Sequence, residues 1–166
     1  MVNRELCLFV ECHDFVCTIE TRSVERLVLS DEVVLVTREG AVPVVQVAAR
    51  SYASFNLGRL LGMPPTAGAS VLVNAVVDGA PLALCFETGA CLVVRAPPPS
   101  VKLQPGLFNA RRRAIVAGFE VPVAMRSTAR SPVGLALAIE ELITAAEREA
   151  AASSLRAVAR RVASAP

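Results

Sequence analysis

The chain has 166 residues, 54% of them hydrophobic, with 17 basic and 15 acidic side chains and a formal net charge of +2. That length suits one domain, or two small lobes sharing a core, and the near-neutral balance lacks the basic footprint of a nucleic-acid binder. No apolar run reaches the roughly 18–20 residues of a membrane span, and the start of the chain is too polar for a secretory leader. The expectation is a cytoplasmic protein with no direct membrane insertion.

Residues 5–12 (ELCLFVEC) and 15–20 (FVCTIE) read as a hairpin around a His13-Asp14 turn. Short apolar runs with charged edges follow at 24–29 (VERLVL) and 31–36 (DEVVLV), then at 44–47 and 51–55. At 57–63 (LGRLLGM) the period changes: Leu57, Leu60 and Leu61 fall at i, i+3 and i+4, a helical turn stopped by Gly62 and Pro64-Pro65.

Residues 71–94 (VLVNAVVDGAPLALCFETGACLVV) hold three apolar runs separated by Asp78-Gly79 and Thr88-Gly89, steps that make short turns cheap. Leu82, Leu84 and Phe86 alternate with Ala83 and Cys85, so neither face is polar and both must be covered. The stretch is expected to form a three-strand meander at the centre of a β-rich core. The prolines of 96–104 require extended chain, 114–121 reads as another strand, and 125–131 as a polar loop.

In 133–138, Val133, Leu135 and Leu137 alternate with Gly134, Ala136 and Ala138, as in a strand whose small side lies against something close. From Ile139 the period becomes helical through Leu142, Ile143 and Ala146, with Glu140 and Glu141 in the first turn. A second stripe, Leu155–Val158–Val162, lies on another face, and a helical or loosely ordered Ala/Arg-rich tail is expected over 151–166, beyond a domain spanning 1–150. A strand followed at once by a short Leu-bearing helix occurs at 52–61 and again at 135–143. That echo suits two similar lobes, each closed by a small helix.

Chemistry is sparse. His13 is the sole histidine, so any acid–base or Cys–His mechanism must use it. Adjacent residues on a strand point to opposite faces, which sets Cys12 and Asp14 against pairing with it. Cys7, Cys12 and Cys17 lie at the edge of zinc-knuckle spacing but among apolar strand residues. With no secretion signal, a disulfide framework is not expected among the five cysteines, and four of them sit in apolar strand-like runs as small hydrophobes. No phosphate loop or nucleophile elbow is present. Arg111-Arg112-Arg113 reads as a solvated loop. No catalytic residue, metal or cofactor is assigned; the alternative from another class is a small thiol enzyme using His13 and a cysteine.

The ordered blocks resemble the CheW-like family, the coupling domain of bacterial chemosensory systems. CLFVECHDFVCTIETRSVERLV is similar to its opening hairpin and following strand, and SFNLGRLLGM to its V-I-D-L-x-x-x-L-G segment, with Asn56 at the Asp position. VLVNAVVDGAPLALCFETGACLVV is similar to the family's central meander, with Phe86-Glu87 where Val-Asp is usual. AIVAGFEV and GLALAIEELI are similar to its closing strands and final helix. The family's N-L-R-G motif falls on Gln46-Val47-Ala48-Ala49, so its receptor-facing Arg is replaced.

The resemblance implies a mainly β fold: two SH3-like five-stranded β-barrel lobes sharing a core, with a C-terminal helix. It also implies a non-catalytic adaptor that bridges a chemoreceptor cytoplasmic domain and a CheA-type histidine kinase, or other CheW-like domains. Grooves edged by Val and Leu suit an amphipathic helix, and the partner surface is expected at Val24, Leu27, Gln46 and Val47, for each of which filling the core is the competing role. Loss of the receptor motif leaves open a different partner, such as a polarity or motility protein.

Overall fold

The computed structural model describes residues 6–20, 24–94, 99–103, 114–126 and 131–165; the Arg111-Arg112-Arg113 run lies outside them. The fold is mainly β, with two sheets and one long C-terminal helix, as expected.

The N-terminal hairpin is β1 (Cys7–Cys12) and β2 (Phe15–Glu20), joined through His13 at φ 55. The chain then builds a second sheet from β3 (Val24–Leu29), β4 (Val33–Thr37), β5 (Val44–Val47), β6 (Arg50–Asn56), β7 (Ala69–Val77) and β8 (Ala80–Thr88). A helical turn, α1 (Leu57–Leu60), follows β6. The chain returns to the first sheet with β9 (Cys91–Val94), β10 (Ser100–Val101), β11 (Ile115–Glu120) and β12 (Val133–Leu137). Among the described residues each sheet has six strands, ordered β10-β11-β12-β2-β1-β9 and β3-β7-β8-β6-β5-β4.

The alternation read from the sequence sorts side chains between three apolar clusters. On β8, Leu82, Leu84 and Phe86 join the core shared by both lobes, while Ala83 and Cys85 fill the interior of the second lobe with Val28, Val45, Val47, Tyr52 and Leu72. On β1, Leu8, Val10 and Cys12 enter the shared core, while Phe9 enters the first lobe with Val16, Phe119, Val121 and Met125. Strands apolar on both faces are thus covered on both, at about 1.5–3 kcal/mol for each large side chain fully buried.

The internal echo has a structural meaning. β6 pairs parallel with β8, and β12 pairs parallel with β2; the other strand pairs are antiparallel. β6 runs straight into the helical turn α1, and β12 into the 3-10 turn Ile139–Glu141. Leu57, Leu60, Leu61 from one lobe and Ile139, Leu142, Ile143 from the other all plug the shared core at the same spacing.

Two expectations are corrected. The stretch 71–94 is not a three-strand meander: β7 and β8 form a hairpin through Asp78 (φ 50) and Gly79 (φ 77), but β9 leaves to pair with β1. The crossing is fastened by backbone hydrogen bonds in which Gly89 N–H donates to Glu11 O and Glu11 N–H to Ala90 O, each at 2.8 Å. A Cβ on Gly89 would sit 3.0 Å from Glu11 O and 2.9 Å from its Cβ, so a side chain there would push the strands apart. The second correction concerns the C-terminus. No single helix starts at Ile139; the 3-10 turn ends, and a separate helix α2 runs Ala145–Ser164. Thr144 and Glu147 form its capping box, with Glu147 N–H donating to Thr144 Oγ1 at 3.2 Å and Thr144 N–H to Glu147 Oε2 at 3.3 Å. The buried residues of α2 are Ala151, Ser154 and Val158, and Ser154 lies over Gly40, where a Cβ would meet its Oγ at 2.5 Å.

Candidate protein-binding seam

β3 is an outer strand of the second sheet, and its pairing with β7 sets Leu27 across from Val71 and Val24 across from Val73. Val71 and Val73 lie in the shared core, and Val24 and Leu27 pack half-buried against it. These two residues therefore edge the seam between the lobes. Val28, on the opposite side of the strand, is buried inside the second lobe.

The structure does not bring all four expected residues together. Gln46 and Val47 lie on β5, separated from β3 by β7, β8 and β6 in the sheet. Gln46 is exposed, its Nε2 donating to Ala48 O at 2.9 Å. Val47 is only 4% exposed and belongs to the second lobe's interior with Val28 and Tyr52. Ala48 and Ala49 form the two-residue turn between β5 and β6, with Ala48 at φ 53.

A polar network that periodicity did not reveal holds β3 in place. Arg50 Nη1 donates to Glu25 Oε1 at 2.9 Å, Arg50 Nη2 to Asn74 Oδ1 at 3.4 Å, and Tyr52 Oη to Glu25 Oε1 at 3.2 Å. The Arg50 guanidinium also lies 5.3 Å from the Tyr52 ring centroid, within cation–π range. β3 and β6 are not neighbours in the sheet, so these bonds join its two sides where no backbone ladder does. Burial, then the Glu25 charge, push the Tyr52 phenol up. Arg26, the next residue on β3, pairs with Glu32 at 3.1 Å.

At the start of α1, Asn56 serves as the N-cap. Its Oδ1 accepts from Arg59 N–H at 3.4 Å and Thr66 N–H at 3.2 Å, and its Nδ2 donates to Thr66 O at 2.8 Å and Glu87 Oε2 at 3.2 Å. An amide here, rather than a carboxylate, matches the carboxylate of Glu87, which faces it across the parallel β6–β8 pair.

His13 and Asp14 do meet, Nε2 to Oδ2 at 3.4 Å, because they occupy a turn rather than a strand; the His13 side chain is 45% exposed. Cys12 and Cys17 are buried in the shared core and Cys85 inside the second lobe. The hydrogen bond to Cys12, followed by burial, pushes the Cys17 thiol well up, and burial raises Cys85 and Cys91. Thiolate nucleophiles need the opposite shift. Among the described residues no three His, Cys, Asp or Glu side chains are placed to hold a metal ion, and no helix is long and apolar enough to cross a membrane.

Neither the family models nor the curated proteins match this sequence. Among solved structures, the fold is similar to the crystal structure of the scaffolding protein TtCheW from Thermoanaerobacter tengcongensis, with a TM-score of 0.54 and 9% sequence identity over 81% of this chain and 89% of that one. The chain therefore has a CheW-like fold. The similarity is one of architecture.

Proposed function

We propose that the chain is a non-catalytic adaptor of a chemosensory-type pathway, holding an amphipathic helix of a chemoreceptor cytoplasmic domain at its interlobe seam and a CheA-type kinase regulatory domain, or another CheW-like domain, at a sheet edge. The observation that carries this reading is the half-buried pair Val24 and Leu27 on an outer strand between two lobes of CheW-like fold. Apolar anchors at this spacing along a groove suit one face of a helix. Val24 and Leu27 supply contact area, Gln46 supplies polar contact from a separate strand, and Val47 supports the lobe from within.

The test is binding of the intact protein to a receptor cytoplasmic fragment and to a kinase regulatory domain. Leu27→Glu and Val24→Glu weaken the complex about tenfold or more, with an unchanged circular dichroism spectrum. If both variants bind like the parent, the seam is not the surface.

A second reading, a CheW-like module serving a non-receptor partner, is favoured by Ala48: where the family motif carries an Arg, this chain has a methyl group on a tight turn. Capture of a polarity or motility protein in place of a receptor fragment distinguishes it.

A further inference from the structure

α2 is docked through small side chains. Its buried residues are Ala151, Ser154 and Val158, at i, i+3 and i+7, so one large side chain is enclosed along its 20 residues. Ala150, Ala152 and Leu155 are partly buried against the shared core beside them. Stabilisation by burial follows apolar area, and this face offers little. The ion pair of Arg161 with Glu39 clasps the last turns, but both side chains are more than half exposed, and such pairs contribute little. The root of the helix is firmer: Leu142 and Ile143, just before the Thr144 cap, are buried in the shared core.

The helix packs on β5 and β6. Those strands turn Val45, Val47 and Tyr52 into the second lobe. Val44 and Ala53 stand across from each other and face the opposite way. Both are fully buried, and Ala53 shares its apolar cluster with Val42 and Ala151. An apolar sheet face is thus enclosed under a tethered helix held mainly at one end. Elements held by so little apolar contact open locally at a free energy well below that of global unfolding.

We propose that α2 is a releasable cover, which swings out about Thr144 and yields the Val42, Val44 and Ala53 face to the amphipathic helix of a partner protein. α2 itself defines the chemistry of that occupant: small side chains at i and i+3 and a branched aliphatic one at i+7, as at Ala151, Ser154 and Val158. Gly40 permits the close approach, because a Cβ there would come within 2.5 Å of Ser154 Oγ. The proposal does not rest on the seam, whose Val24 and Leu27 belong to β3. A partner helix gains access only as often as α2 is released, so the cover sets the apparent affinity.

Hydrogen exchange of the full chain tests this, together with binding of a labelled synthetic peptide of residues 144–165 that stands in for the partner helix. The α2 amides of the parent are expected to exchange about a hundredfold or more faster than those of β7 and β8. Arg161→Glu speeds α2 further and leaves the sheets unchanged, and Glu39→Arg in the same chain reverses the gain. Val158→Asp releases the helix while the covered face keeps its residues, so it binds the peptide about tenfold or more tightly than the parent does. Arg161→Glu, which alters one exposed side chain, carries the binding test in the same direction if Val158→Asp disturbs the fold. Exchange in α2 as slow as in β7 and β8 overturns the proposal, and so does a peptide that binds parent and released variants alike or binds neither.

Discussion

Phe119 on β11 stands directly across from Gly134 on β12, and its ring fills the space a side chain at 134 would need: a Cβ there would lie 2.2 Å from Phe119 Cζ. The ring is held from its other side by Phe9, edge to face, at 5.3 Å between centroids. It cannot retreat without opening the first lobe's interior. Gly134→Ala is therefore expected to destabilise the protein by about 1–3 kcal/mol, read as a lower denaturation midpoint in urea. An unchanged midpoint shows that the ring moves freely.

Asn56 donates to Glu87 while accepting from Arg59 and Thr66 backbone N–H groups. Asn56→Asp keeps the accepting oxygen, removes both donated bonds and sets a second carboxylate against Glu87. The expected loss is about 1–3 kcal/mol at neutral pH, shrinking in acid as the introduced carboxyl at position 56 takes up a proton and the repulsion is removed. Thermal melts of parent and variant at neutral and acid pH check this; a pH-independent difference removes the carboxylate pair as its cause.

Ala48 carries a positive φ of 53° in the β5–β6 turn, a conformation that costs a residue with a Cβ about 1–2 kcal/mol. Glycine adopts it without that strain but loses more backbone entropy. Ala48→Gly is expected to stabilise by about 0.5–1 kcal/mol, measurable as a raised denaturation midpoint. A destabilised variant contradicts this.

The raised thiols of Cys17, Cys85 and Cys91 bind their protons more tightly in the folded chain. Their contribution to stability is complete below the unfolded thiol pKa of about 8.5 and is lost as pH rises towards the folded values. Stability should therefore fall in alkaline solution from about pH 8.5 upward. Cys12, Cys17 and Cys85 should resist thiol reagents until the chain unfolds, since all are buried. A native thiol that reacts rapidly near pH 7 revives the thiol-enzyme alternative.

Much of this architecture was legible in the sequence. The double alternation Leu82–Phe86, the small side of 133–138 lying against Phe119, and the recurring helical turns at Leu57 and Ile139 each have a direct physical counterpart in the packing. The destination of β9 was not legible: a run of four residues after a Thr-Gly step satisfies a hairpin and a lobe crossing equally well, and only the fit of Gly89 against Glu11 decides. The start of α2 was legible in Thr144 and Glu147, a capping signal hidden behind the apolar period of Ile139, Leu142 and Ile143. For the seam, the family resemblance pointed to Val24 and Leu27 together with Gln46 and Val47; plain alternation sets Val24 and Leu27 on opposite faces of a strand, and only the register shift between Val24 and Arg26 lets both pack on the shared core. The Glu25–Arg50–Tyr52–Asn74 network joins residues far apart in sequence and left no local trace.

The most direct measurement is calorimetric titration of the intact chain with a chemoreceptor cytoplasmic fragment and, separately, with a CheA-type regulatory domain, alongside Leu27→Glu and the exposed control Val123→Glu. A saturable complex that Leu27→Glu weakens about tenfold or more and Val123→Glu leaves intact is the predicted result. Binding to neither partner, or equal binding by the parent and Leu27→Glu, contradicts it.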